Sequence, residues 1–433
     1  MDRRTFLTLS GATMLGACGR GPEYEALNIT VGEAATRPAQ AVNVGGAVER
    51  LASLVGEPNV WGRRYNWSRN AYILHDYIRK SWADGLQPTS YLPQDMSRNL
   101  NFYNEDRDRA LSAAAIKLVS DLTSGRTRNA FGRSAEAVAQ LRDSENFASD
   151  LIDLAPKTGP YRQLRSEAFK TLSRTKATSP GFSSLETTME KLRLNPYPNI
   201  DGQVVVVNIP AFDLHAYNNG RPYLRSRVIV GKEGRETPVG RDYITNLKFS
   251  PDWTPPRSII NRDLVPALQE DPTSLEPLGM DIFVSGEKIE DVANYNWSNV
   301  NPNSVTMHQP PGPNAILGGV RFTLNNSRAI YLHDTSARPL FGDTLRTASS
   351  GCVRVEESLD LASWLLDQDG QPKTNERLEE LMGQEESSFI NLGRRVRLEM
   401  LYYTAWINDQ GIFTLYPDVY GRDEDLVKAL AEN

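Results

Sequence analysis

The period of the hydrophobic pattern changes once along this chain of 433 residues, at Gln203, and that change limits what it can fold into. Upstream, from about Gly45 to Leu192, apolar residues recur at helical spacing. Leu111, Ala115, Leu118 and Leu122 fall on one stripe, and Gly125 stands at the C′ position expected to close it. Similar stripes run through Arg69–Trp82, Ala135–Leu151 and Tyr161–Leu172. Downstream, Gln203–Pro210 and Arg225–Val230 are β-branched runs bounded by turn residues. Further strands are expected at Val320–Leu324, Ala329–His333, Gly351–Val355 and Val396–Trp406. In the last of these Val396, Leu398, Met400 and Tyr402 alternate with mostly polar residues, and Asp409-Gln410-Gly411 then supplies a hairpin turn. Ser358–Leu366 and Thr374–Met382 read as short helices packed on the sheet. The expected class is α+β: an N-terminal α-helical scaffold, then a mostly β domain.

Between the early and late strands, residues 253–313 (Trp253–Pro313) contain nine prolines in 61 residues, which argues against a central strand there. This stretch is expected to be an inserted subdomain capping the sheet. The domain boundaries follow: a helical scaffold at 43–185 and the β-rich domain at 186–433. The scaffold stripes hold no cluster of nucleophile, base and oxyanion donors.

Two cysteines, Cys18 and Cys352, exclude a disulfide scaffold and a cysteine-rich zinc site. Residues 1–18 have a charged start, an apolar stretch too short to span a bilayer, and small residues before Cys18, the pattern of an export signal. Arg3-Arg4-Thr5-Phe6-Leu7 resembles a twin-arginine signal, and Leu15-Gly16-Ala17-Cys18 resembles a bacterial lipobox. A lipidated Cys18 would anchor the chain in the periplasm, with Gly19 favouring the outer membrane. Residues 19–42 are polar, Ala/Gly-rich and aperiodic, as a tether would be. Cys352 would then be the only thiol of the mature chain. A net charge of −6 offers no bulk counter-charge for a phosphate backbone, so nucleic-acid binding is not expected.

Taken alone, a single cysteine is more often a small buried hydrophobe than a nucleophile. Its neighbours reverse that reading. Tyr331-Leu332-His333 ends a strand with a histidine, and sixteen residues later begins Ser349-Ser350-Gly351-Cys352-Val353-Arg354. His333 can take a thiol proton, and Arg354, two residues along a strand, shares a face with Cys352 and supplies positive charge. Gly351 allows close backbone approach, and the backbone N–H groups before the thiol are candidate oxyanion donors.

That segment resembles the Ser/Thr-x-Gly-Cys-hydrophobic-Arg signature of the L,D-transpeptidase catalytic (YkuD) domain family, with His333 at the family's general-base position. The likeness extends to the branch of large periplasmic members through Val206–Phe212, Ser226–Gly231, Thr237–Gly240, Gln309–Pro313, Tyr331–Thr335, Tyr403–Trp406 and Tyr420–Asp423. It covers about Glu186 to the end and, more weakly, the helical half at Gly85–Pro88 and Tyr91. Two departures stand out. About ten residues, Lys176–Leu185, leave no room for the small peptidoglycan-binding module usual in this branch. Ser350 replaces a histidine found in many relatives.

The resemblance implies that Cys352 attacks the third-residue carbonyl of a peptidoglycan tetrapeptide stem, normally at meso-diaminopimelate, and releases D-Ala. His333 takes the thiol proton and helps protonate the leaving amine. A neighbouring stem amine then resolves the thioester to a 3→3 crosslink. Water, a free D-amino acid or a protein lysine are alternative acceptors, and a non-catalytic wall-binding lipoprotein is the reading from a different class. Arg354 would orient the loop or a substrate carboxylate, or form a structural ion pair. Ser349 and Ser350 belong to the catalytic loop, while Tyr331 and Trp253 would line the donor groove or be ordinary core. The expected partners are stem peptides, with substrate capture by the scaffold, cap, tether or an activating periplasmic protein. Neither a metal nor an organic cofactor is called for, and His75, His215 and His308 read as satisfied or solvent-exposed side chains.

Overall fold

Helical periodicity in the first half produces a run of helices whose apolar stripes meet. The computed structural model describes residues 45–56, 59–127, 130–172, 180–195, 200–326, 329–408 and 410–432. The expected export signal, the lipobox with Cys18 and the tether lie outside the described residues. The chain divides into two units: Ile200–Tyr402, and the described residues 45–195 together with 403–432.

In the helical unit, α1 spans Gly45–Val55, the two-residue strands β1 (Gly62–Arg63) and β2 (Asn66–Trp67) form a small ribbon, and α2 spans Arg69–Lys80. The longest helix, α3 (Glu105–Ser124), starts at Asn104, whose side chain accepts the Arg107 N–H, and ends at Gly125 with φ +79°. Leu111, Ala115, Leu118 and Leu122 are all buried, as their spacing requires. The stripe through Ala135–Leu151 is two helices rather than one, α4 (Phe131–Arg142) and α5 (Phe147–Ile152), because Asp143, Ser144 and Asn146 form a turn between them. Next come α6 (Gly159–Leu172) and α7 (Pro180–Leu194).

Two boundaries differ from expectation. The stretch Lys176–Leu185 was expected to be a short connection, but from Pro180 it is helix. Residues 186–195 and 403–432 belong to the helical unit rather than to the β-rich one. The cause is visible in α7: Phe182, Leu185, Met189 and Leu192 recur at helical spacing and are buried. The C-terminal segment is tied to the same helix. The Ala405 N–H donates to Thr188 Oγ1 (3.2 Å), and Lys191 pairs with Asp423 (2.6 Å).

The β-rich unit, Ile200–Tyr402, is a closed barrel. Its strands are β3 (Gln203–Asn208), β4 (Asp213–Asn218), β5 (Arg221–Gly231), β6 (Gly240–Phe249), β10 (Val320–Leu324), β11 (Leu332–His333), β12 (Thr347–Ser349), β13 (Val353–Val355) and β14 (Ser388–Leu401). They run β12-β5-β13-β11-β10-β6-β14-β3-β4, and β4 pairs back onto β5, so eight strands form a ring with no free edge. Strands β4 and β6 carry no β-branched run and were not expected. The helices α10 (Ser358–Gln368) and α11 (Asn375–Met382) follow the last barrel crossover, and Thr374 caps the second.

The insertion begins after β6. It has a helical run, α8 (Arg257–Ile259), a π turn at Ile260–Leu264 and α9 (Val265–Glu270). A three-stranded sheet follows, ordered β8-β7-β9 from Asp281–Val284 (β7), Glu287–Lys288 (β8) and Val305–His308 (β9). Its own core joins Leu264, Val265, Leu268, Ile282, Trp297, Val305 and Met307. At the neck Trp253 and Gln309 exchange backbone hydrogen bonds of 2.9 and 2.8 Å. The Gln309 amide also ties down Leu278, Asn314 and Ile316.

Trp297→Ala should remove the centre of the cap core and cost the cap about 3–5 kcal/mol. Limited proteolysis should then cut within 257–304 while the barrel resists. Equal protection of variant and wild type would contradict a separately cored cap.

Candidate active site

Residues of the expected constellation meet because of strand register. The parallel pair β11–β13 sets His333 opposite Arg354, and the antiparallel pair β10–β11 sets Arg321 opposite His333. Val353, Val355, Phe322 and Leu332 point the other way and fill the barrel. Period-two alternation therefore puts Cys352, Arg354, His333 and Arg321 on one face.

Gly351 precedes Cys352 with φ +112°, a conformation that side-chain-bearing residues rarely adopt, and a Cβ there would meet Ile330 Cδ1 at 3.0 Å. Its carbonyl accepts from Thr237 Oγ1 (2.9 Å). The Gly351 N–H donates to Ser349 Oγ (3.1 Å), and that hydroxyl donates to the Cys352 carbonyl (2.5 Å). This corrects the expectation of an oxyanion role for that N–H: Ser349 already occupies it and uses it to shape the loop. Ser350 Oγ accepts from Arg235 (3.1 Å), and Arg235 in turn pairs with Asp263 in the cap's π turn. The catalytic loop and the cap thus share one guanidinium.

Cys352 is half-buried. Sγ lies 3.8 Å from the Ala329 carbonyl, and the N–H and hydroxyl of Tyr331 favour its thiolate form. Trp253 in turn eases ionisation of the Tyr331 hydroxyl, so both residues expected to line the groove bear on the thiol's surroundings. Burial pushes the thiol up to about 11, although Tyr331, Arg354 and Arg321 all work to lower it. Burial likewise raises the Tyr331 phenol.

The His333 ring is buried, and its Nδ1–H donates to the Asp334 carbonyl at 2.5 Å, a partner that assigns the neutral tautomer. Burial holds the imidazole down to about 3, with the Arg354 charge acting in the same sense. Cys352 and His333 therefore rest as thiol and neutral imidazole, not as an ion pair. No hydrogen bond joins them here, and catalytic hydrogen bonds commonly tighten only with substrate bound.

Arg354 makes no ion pair among the described residues, which removes the structural reading left open for it, and burial lowers its guanidinium. Asp334 follows the histidine directly in the sequence. Its carboxylate accepts the Gly319 N–H (2.8 Å) and pairs with Arg338 (3.3 Å), bracing the chain as it leaves the histidine. Arg321 was missed, although its signal was an alternating strand, Val320-Arg321-Phe322, just upstream of the histidine strand.

The remaining histidines stand apart from this site. His75 Nε2 meets the Met96 carbonyl (2.7 Å), and His308 Nε2 meets Asp252 (3.1 Å). His215 stacks beside Tyr217 at 6.1 Å. No grouping of three metal-ligating side chains occurs among the described residues, and none of their helices is long and apolar enough to cross a membrane.

Two regions of the chain match known protein families. Residues 202–380 match the L,D-transpeptidase catalytic domain (YkuD), and residues 56–167 match a scaffold domain. A curated protein of Haemophilus influenzae (strain Rd), described as "Putative L,D-transpeptidase", is 36% identical over 239 residues, 55% of this chain and 48% of that protein. The chain thus spans about half the length of the curated relative it matches. L,D-transpeptidase 1 of Mycobacterium tuberculosis aligns over 46% of this chain and 61% of its own at 13% identity, with a TM-score of 0.20, and nothing below rests on it. Over residues 202–380, less than half of the chain, the protein is thus similar to the L,D-transpeptidase catalytic domain (YkuD).

A thiol held up at about 11 should react with iodoacetamide slowly at neutral pH. The rate should rise nearly tenfold per pH unit between pH 7 and 10. A plateau already reached below pH 7, read by mass spectrometry of the Cys352 peptide, would contradict the resting thiol.

Proposed function

We propose that this protein is a cysteine acyltransferase of the peptidoglycan layer, an L,D-transpeptidase that forms 3→3 crosslinks. The observation that carries the reading is the register that sets neutral His333 between two arginines beside Cys352, within the region that matches this family. A tetrapeptide stem enters with its third-residue carbonyl at Sγ. As sulfur attacks, the thiol proton passes to His333, which is unprotonated at neutral pH and able to receive it. The proton then leaves on the amine of D-Ala as the C–N bond breaks and the thioester remains. An amine from a neighbouring stem attacks the thioester, gives its proton to His333 and restores the thiol.

Incubating the full chain with a disaccharide-tetrapeptide should yield a crosslinked dimer and free D-Ala, resolved by mass spectrometry. Tripeptide without dimer would mean that water is the acceptor. Cys352→Ala should abolish both products, and His333→Ala should slow them about 10²–10⁴-fold, the usual worth of a general base. Product formation by Cys352→Ala would overturn the assignment.

The substrate's location fits the export signal, and we propose periplasmic anchoring through lipidated Cys18. Cys18→Ser should shift the protein from the membrane fraction to the soluble periplasm. An unchanged membrane fraction would contradict the anchor.

A further inference from the structure

We propose that Arg321, with Arg354, forms a seat for a carboxylate of the donor stem, making Arg321 a specificity-determining residue next to the nucleophile. The inference rests on the functional reading above and names how that site selects its donor. The strand register supplies the geometry. Arg321, His333 and Arg354 stand side by side on β10, β11 and β13, all facing away from the barrel core. Lys248 on β6 is next in the same row, opposite Arg321.

The cations in that row are not treated alike. Lys248 is matched by Asp252, which also accepts from His308 and Ser387. Neither Arg321 nor Arg354 has a carboxylate within ion-pairing reach among the described residues. The Nε of each is buried without a hydrogen-bond partner, and the weak contact from Arg321 to Thr323 Oγ1 spans 3.5 Å. The Arg321 guanidinium lies over the Tyr331 ring, 5.4 Å from its centroid, and both Arg321 and Tyr331 favour the Cys352 thiolate. Both arginines are thus held next to the thiol, yet the thiol rests neutral and so compensates neither.

Sunken charges without partners are costly, and two of them beside a reaction centre call for an anion. A guanidinium presents a planar fork that matches a carboxylate in two parallel hydrogen bonds. A tetrapeptide stem offers two such groups near the attacked carbonyl: the terminal α-carboxylate and the side-chain carboxylate of a diamino-diacid third residue. They share the chemistry and differ in position.

Three donors separate them: the unmodified tetrapeptide, its C-terminal amide, and the form with the third-residue side-chain carboxyl amidated. On the unmodified donor Arg321→Gln should raise KM about 10–100-fold with kcat within about threefold, the scale of a lost charged hydrogen bond. Arg321→Lys should recover part of the loss. One of the amidated donors should be as poor for wild type as the unmodified donor is for Arg321→Gln. On that donor the substitution should cost nothing more, which identifies the seated carboxylate. An equal Arg321→Gln penalty on all three donors would overturn the seat while leaving the transpeptidase reading intact. So would unchanged wild-type KM on both amides, a comparison that needs no variant to fold. Wild type turning over none of the three, with Cys352 still open to alkylation, would overturn the functional reading and the seat with it.

Discussion

A strand of two residues holds the site together. Leu332–His333 pairs on one side with β10 and on the other with β13, so one backbone segment fixes both neighbours of the histidine. Leu332 is sealed into the barrel, and a one-residue slip would turn His333 inward and Leu332 out, so the register is enforced by the core. Asp334 closes the far end by binding the Gly319 N–H and Arg338. Closure of the barrel through β4 and β5 keeps the other side of β13 equally fixed.

The electrostatic state follows from that placement. Burial and the Arg354 charge keep His333 neutral, and burial keeps Cys352 protonated. Such a resting thiol becomes nucleophilic only as its proton is removed. An anion seated on Arg321 and Arg354 would offset the coulombic part of what holds the imidazole down, burial being the larger part. The cap enters the same circuit twice, through Trp253 on the Tyr331 hydroxyl and through Asp263 on the arginine that holds Ser350.

Much of the fold was legible in the sequence, for identifiable reasons. Val320–Leu324 and the two late helices have strong periodicity and were found with nearly correct ends, and α3 was found by its stripe and its Gly125 stop but not by its start. Strands β4 and β6 were not found, because Asp213–Asn218 and Gly240–Phe249 are mixed in polarity and owe their conformation to neighbours on both sides. The C-terminal segment was assigned to the wrong unit because sequence order gives no sign that Thr188 and Lys191 meet the chain beyond Tyr402. At the site, Cys352, His333 and Arg354 were visible as a motif. Arg321 was not, since its relation to His333 exists only across strands, and Ser349's claim on the Gly351 N–H is a matter of rotamer rather than spacing.

The central claim is that Cys352 itself carries the acyl group while His333 handles its proton. Intact-mass measurement of the protein mixed with tetrapeptide donor in the absence of acceptor tests this directly. The account predicts an adduct equal in mass to the donor less D-Ala, mapped to Cys352, stable in wild type and slow to form in His333→Ala. An adduct on any other residue, or D-Ala release without a covalent intermediate at Cys352, would contradict it.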